Sequence, residues 1–419
     1  MKIFIIFFLG LIRAAVSDTA FINAEIFTGF SLLTNHTLLI KDDRIAQIIP
    51  SKDFKPTVED IIDCKHQRLI PGFIDLQVNG GGGILFNDSP TVAGIRSILN
   101  AHHTYGTVAL LPTLISDKLC KITQAMSAVE NALKQKVPGV LGIHLEGPFL
   151  SKPKKGIHNE TYIQDLYPEY LNQLCSLDEG TTLITLAPEK VKPEIVNLLA
   201  ANGIKVFAGH TNTDYKTAKQ AIQNGVLGFT HVFNAMSPLT SRSPNAVGAA
   251  LDEDRCYCGI INDGFHIHPA TFRIAAKIKK NKLFLVTDAM STVGSTHKTF
   301  QLSGQTIYEK NGRLTNADGV LAGSSLTMID AVKNTIRFGI PWDEAIRMAS
   351  LYPANCLGIA DDYGSLTEGK KASFLLVSKS FDLQAVWIEG KLITSTAKET
   401  PNASLGNISM ALSSFTSSD

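Results

Sequence analysis

The chain has 419 residues, 44% of them hydrophobic and 18% charged, with a formal net charge of +1. So even a balance argues against nucleic acid or an acidic surface as the partner. The length allows one large domain plus a smaller one, with a sizeable core.

The N-terminal stretch MKIFIIFFLGLIRAAVSD carries a lysine, an apolar run and then Ala15-Val16-Ser17. Residues 1–17 therefore read as a signal-like apolar segment, cut after Ser17 and too short for a stable membrane span. They also fit a plain apolar extension, or a translation start at Val16 just before DTAFINAEIFTG. Sequons at Asn35, Asn87, Asn159, Asn402 and Asn407 are too short a pattern to decide between these.

Residues 18–70 alternate apolar and polar positions, as in HTLLIKDDRIAQIIP. The pattern returns near the other end, within 365–396, as ASFLLVSKSFDLQAVWIEGKLITS. Neither piece makes a stable sheet alone, so the two ends are expected to build one small β-sandwich together. Residues 397–419, rich in Ser, Thr and Asn, read as a flexible tail.

Between them, over 71–364, short apolar runs alternate with helical stretches such as PEIVNLLAANG and DYKTAKQAIQNG. The runs FIDLQV, TVALLPTL, GVLGIHLE, TLITLAPE, IKVFAGH, VLGFTHV, CGIINDG and LFLVTDA predict eight strands. The fold class is therefore α/β, a (β/α)8 TIM-like barrel. An open doubly wound sheet is the alternative, but no G-x-G-x-x-G opens a helix. The six cysteines, Cys64, Cys120, Cys175, Cys256, Cys258 and Cys356, are scattered through apolar segments and read as buried free thiols.

A barrel of this kind works at the C-terminal ends of its strands. Those ends carry Gln77 and Asn79, then Glu146, His210, His231, Asp263 with His266, and Asp288. Singly, Glu146 or Asp288 reads as a helix cap or turn residue, and each histidine as a satisfied core residue. Four strands that converge with Glu, His, His and Asp read instead as a hydrolase centre. One carboxylate and two imidazoles suit a borderline divalent ion such as Zn²⁺, and a nearby Asp can take a proton from water.

The segments FIDLQVNGGGGILFNDSP, GIHLEGPFL, KKGIHN, AGHTN, THVFNAMSPLTSR, CGIINDGFHIH, LVTDAM and LAGSSLTM together resemble the N-acetylglucosamine-6-phosphate deacetylase family of the amidohydrolase superfamily, over about Phe21 to Ile393. Many superfamily members carry His-x-His where this chain has Gln77-x-Asn79. Amides bind transition metals poorly, so one metal is expected, not two, and Gln77 is free to bond substrate or the frame of the site. No lysine ends the fourth strand, so no carbamylated bridge is expected. The resemblance implies Glu146, His210 and His231 as ligands of one divalent metal ion per subunit: Zn²⁺ first, with Fe²⁺, Co²⁺ and Mn²⁺ as alternatives. It implies Asp288 as general base and then acid, and His158 as the group that helps polarise the acetamide carbonyl. Phosphate and sugar fall to Arg242, His266, Asn234 and Ala235, with backbone near Ile157 and at Leu321, Ala322 and Gly323. In the family the arginine can come from a neighbouring subunit, so the resemblance implies a homodimer. The expected reaction is deacetylation of N-acetylglucosamine 6-phosphate. The galactosamine epimer, another cyclic-amide or deaminase reaction, and a non-catalytic scaffold stay as alternatives. A sugar-phosphate substrate places the chain in the cytoplasm, whereas the N-terminus argues for export.

Overall fold

The computed structural model describes residues 18–395, so the signal-like segment and the Ser-rich tail lie outside the described residues. Strands β1 (Thr19–Phe27), β2 (Leu32–Lys41), β3 (Arg44–Pro50), β4 (Asp60–Asp63) and β5 (Arg68–Pro71) come first. Then follow β6 (Phe73–Val78), the short hairpin β7 (Gly80–Gly81) and β8 (Ile84–Leu85), and β9 (Thr107–Ile115). Next are β10 (Gly142–Glu146), β11 (Thr181–Leu186), β12 (Lys205–Ala208), β13 (Val226–Phe229), β14 (Tyr257–Ile261) and β15 (Leu283–Val286).

The eight strands read from the sequence form one parallel sheet in the order β15-β14-β13-β12-β11-β10-β9-β6. It closes into a barrel where Val78 bridges Ala289 and the Asp288 N–H donates to the Gln77 carbonyl at 2.9 Å. Every residue of β6, β9 and β10 is buried, as expected of parallel strands covered on both faces. The covering helices start where the sequence caps them. Thr91 accepts from Gly94 N–H ahead of Val92–His103, and Asp214 from Thr217 N–H ahead of Tyr215–Gln223. The glycines of NGGGG make the tight turn after β6. A Cβ on Gly80 would lie 2.3 Å from the Ile84 carbonyl, and Gly82 and Gly83 take φ +61° and +85°.

The strand–helix alternation does not anticipate the next element. After β15 come β16 (Thr299–Leu302), β17 (Gln305–Lys310) and β18 (Arg313–Thr315), an antiparallel three-stranded sheet. Its hairpins turn at Ser303-Gly304 and Asn311-Gly312, all four at positive φ, which is the two-residue turn that matches strand twist.

Strands β19 (Phe374–Val377), β20 (Leu383–Ile388) and β21 (Lys391–Ser395) complete the small domain. Both chain ends share one sheet, β21-β20-β19-β5-β1-β2-β3, with β4 also on β1. Its core joins them: Phe21 meets Phe374 and Trp387 edge-on at 4.9 and 5.0 Å. We expect Phe21→Ala to cost about 3–5 kcal/mol, read as a lower urea midpoint at unchanged m-value. The domain ties to the barrel through Phe27 against Trp342 at 5.0 Å. Cysteines 64, 256, 258 and 356 are buried free thiols, but Cys120 is exposed and Cys175 half-buried. Cys120 stands in the first turn of the surface helix Leu119–Lys134, on the face turned from the core. Among the described residues no helix is long and apolar enough to cross a membrane.

Candidate active site

Glu146 ends β10, while His210, His231 and Asp288 each stand two residues past their strands. These three last residues take left-handed φ of +46°, +33° and +52°. Such backbone costs on the order of 1–3 kcal/mol per residue and persists only where its surroundings fix it. Here the bend turns each side chain into the barrel mouth.

Glu146, His210 and His231 offer donor atoms that lie together and buried. His231 Nε2 is 2.9 Å and His210 Nε2 3.2 Å from Glu146 Oε1, and the two nitrogens are 3.1 Å apart. The Lys154 carbonyl, which can only accept, takes His210 Nδ1–H at 2.8 Å. His210 Nε2 therefore turns its lone pair to the cluster, the tautomer a metal ligand needs. A near-equilateral triangle of two imidazole nitrogens and one carboxylate oxygen fits a divalent ion with bonds of about 2.0–2.2 Å.

Charge in the cluster is shared between acid and base. Burial pushes the Glu146 carboxyl up, but the adjoining His210 and His231 rings outweigh this and hold it well below the usual carboxylate range. Burial likewise opposes charge on His231, yet Glu146 raises its pKa overall. A proton on His231 Nε2 competes with an ion for the same nitrogen. We expect bound metal to fall as pH is lowered from about 8 to about 5, checked by metal analysis after dialysis at each pH.

His158 stands beside this cluster. Ser116 N–H, which can only donate, points at His158 Nδ1 at 3.3 Å, and Ser116 Oγ lies at 2.8 Å. The ring proton therefore sits on Nε2, 4.0 Å from Glu146 Oε2. Burial, then His210, pushes the His158 pKa down to about 3. The ring is neutral and presents an N–H donor to the site.

Gln77 and Asn79 both serve the frame. Gln77 Nε2 donates to Glu146 Oε1 and to Asp288 Oδ1, each at 3.1 Å. Asn79 Nδ2 donates to Asp288 Oδ1 at 2.6 Å. Burial and the Glu146 charge raise Asp288 to about 6, while His231 opposes them.

A cavity of about 330 Å³ opens above these groups, bordered by Glu146, Lys154, Ile157, His158, His210 and His231, and by Asn234, Ala235, His266, Asp288, Leu321 and Gly323. That size admits a monosaccharide derivative.

Two family models match the chain: the amidohydrolase family over residues 68–393 and the NagA composite domain over 20–62. The chain belongs to the amidohydrolase family. This amidohydrolase is 37% identical to the N-acetylglucosamine-6-phosphate deacetylase of Haemophilus influenzae, over 89% of its own length and 98% of that relative. It is 41% identical to the N-acetylgalactosamine-6-phosphate deacetylase of a Shewanella species, over 79% and 86%. The crystal structure of the N-acetylglucosamine-6-phosphate deacetylase from Pasteurella multocida superposes with a TM-score of 0.87 at 37% identity, covering 90% of this chain and 99% of that one.

Most of the expected ligand, catalytic and substrate-binding residues border the amidohydrolase's cavity, but three do not. Gln77 lies beneath it, bonded to Glu146 and Asp288. Ala322 is fully buried and its N–H is taken by the Leu314 carbonyl. Arg242 is exposed and, among the described residues, forms no hydrogen bond or ion pair. Two supporting residues were not foreseen. Lys154, which fixes His210, stands in the same KKGIHN motif as His158. Ser116 follows β9 directly and was open to the same strand-end reading. Asp263, read from the sequence as a strand end beside His266, holds His266 Nδ1 with its Oδ2 at 2.7 Å.

Proposed function

We propose that this amidohydrolase removes the acetyl group of N-acetylglucosamine 6-phosphate, giving glucosamine 6-phosphate and acetate. The observation that carries the reading is the Glu146, His210 and His231 triangle facing one sugar-sized cavity with Asp288 and the His158 N–H. The deacetylase relatives support it over 89% and 90% of the chain.

Glu146, His210 and His231 would hold a divalent ion, which would supply a Lewis acid for the amide carbonyl and would lower the pKa of a water. Asp288 takes the proton of that water on its free carboxylate oxygen, Oδ1 being held by Gln77 and Asn79. The His158 Nε2–H donates to the carbonyl oxygen as negative charge develops there. Asp288 then returns the proton to the departing amine. Asn234 Nδ2 is buried without a partner among the described residues, a donor suited to the sugar phosphate, and His266 joins it.

Acetate release is to be measured from both N-acetylhexosamine 6-phosphate epimers and from unphosphorylated N-acetylglucosamine, with metal content on the same sample. Release from the phosphorylated glucosamine compound and not from the free sugar supports the reading. Preference for the galactosamine epimer supports the second reading, which the 41% identity to a galactosamine-type relative favours. Bound metal without release points to another amide substrate, and neither metal nor release to a scaffold.

Zinc is our assignment for the ion, because two imidazoles and a carboxylate in a closed cluster suit it best. The chain further acts as a homodimer in which the exposed Arg242 grips phosphate in the neighbouring cavity, its planar fork making paired bonds. Mixing inactive Arg242→Ala and Asp288→Asn chains should then restore turnover, because one site per mixed dimer keeps both residues. A sugar-phosphate substrate favours the cytoplasm. Mass spectrometry of the native N-terminus tests this, a chain beginning at Asp18 counting for export.

A further inference from the structure

We propose that Asp75 is a positioning residue for this reaction: its buried side chain ties the first barrel strand to the last and so places Gln77 and Asp288. The inference rests on the deacetylase reading above and deepens it.

The ring has one weak seam. Strands β6 and β15 end the sheet order and, among the described residues, share no ladder of their own. The backbone hydrogen bonds across it lie at the rim, where the Asp288 N–H donates to the Gln77 carbonyl and the Asn79 and Gly80 N–H groups donate to the Ala289 carbonyl, each at 2.9 Å. Just below the rim, Asp75 supplies the missing acceptor. Its Oδ1 receives the Thr287 N–H across the seam and the Gln77 N–H along its own strand, each at 3.2 Å. Its Oδ2 lies 2.5 Å from Thr287 Oγ1.

Asp75 and Thr287 are both 0% exposed, and among the described residues Asp75 has no ion-pair partner. A carboxyl in such a place costs free energy that an apolar side chain would not. What it gains is control of two peptides. One is that of Gln77, whose amide spans Glu146 and Asp288. The other is the Val286–Thr287 peptide, one unit ahead of Asp288. The next two carbonyls are held by Ser324, whose hydroxyl donates to the Thr287 carbonyl at 2.5 Å and whose N–H donates to the Asp288 carbonyl at 2.9 Å. Asp288 is thus kept in its left-handed turn from both sides. The two N–H bonds need only an acceptor at Oδ1, so they survive whether or not Asp75 carries a proton.

The test compares wild type, Asp75→Ala, Asp75→Asn and Thr287→Val, with kcat and KM expressed per metal-loaded chain and melting recorded alongside. We expect Asp75→Ala to lower kcat about 10–100-fold, the scale of an ångström-sized misplacement, with KM and metal content near wild type. Asp75→Asn should recover most of that rate, because its Oδ1 still accepts both N–H groups and its amide can donate to Thr287 Oγ1. A lower melting temperature with unchanged kcat would assign Asp75 to structure alone and overturn the proposal, as would a rise in KM with kcat kept. If Asp75→Ala does not fold, Thr287→Val decides: a several-fold loss of kcat at constant KM supports positioning, and an unchanged kcat refutes it. No turnover by the wild type would overturn the deacetylase reading and this one with it, whereas wild-type turnover with indifferent variants removes only the role of Asp75.

Discussion

Asp288→Asn should lower kcat by about 10²–10⁴-fold, the range general acid–base groups supply, with KM and metal content nearly unchanged. Asparagine tolerates the left-handed backbone that Asp288 takes at φ +52°. Its carbonyl can still accept from Gln77 and Asn79, so the fold and the frame persist. What it loses is the basic oxygen. In wild type, burial and the Glu146 charge raise Asp288 to about 6. A base works only when ionised, so the rate should rise with pH through about 6 and level off above it. A bound cation facing the carboxylate draws this limb lower. Steady-state kinetics across pH, with metal analysis of both proteins, checks each part. A variant that loses metal together with rate would place Asp288 among the ligands and not as the base.

The barrel and its centre were legible because the physics of each strand is local. A parallel strand covered on both faces needs an unbroken apolar run, and a polar residue can end that run only where it meets the mouth. Glu146, His210, His231 and Asp288 all follow this rule, so reading strand ends found them. Features that depend on long-range pairing were not legible. The acid within FIDLQV is plain in the sequence, but its partner Thr287 lies 212 residues away. Arg242 looks like any exposed arginine in the sequence and is singled out only through the family resemblance; in its own chain it does not border the cavity. The sheet after β15 is a different case. Ser303-Gly304 and Asn311-Gly312 are local hairpin signals, overlooked because alternation between strand and helix had already been taken as the rule for the whole segment.

Glu146→Gln should separate the metal from the fold. The Glu146 Oε1 atom is the hub of the cluster, 2.9 Å from His231 Nε2, 3.2 Å from His210 Nε2 and 3.1 Å from Gln77 Nε2. Glutamine keeps the shape and one acceptor for Gln77, but it removes the anionic ligand. Loss of an outer partner alone commonly weakens metal sites about 10–100-fold, so loss of this ligand should exceed about 100-fold, and turnover should vanish with the ion. Stability should respond differently in the two states. Without metal, a buried carboxylate is costly and is compensated by the Gln77 Nε2–H and by charge on its histidine neighbours, so the neutral variant should melt near or above metal-free wild type. With metal, only wild type gains the binding free energy. Melting curves with and without a chelator therefore form a four-way comparison: chelation should lower the wild-type transition and leave Glu146→Gln unmoved. Equal losses in both proteins would mean that metal stabilises the chain at some place other than this triangle.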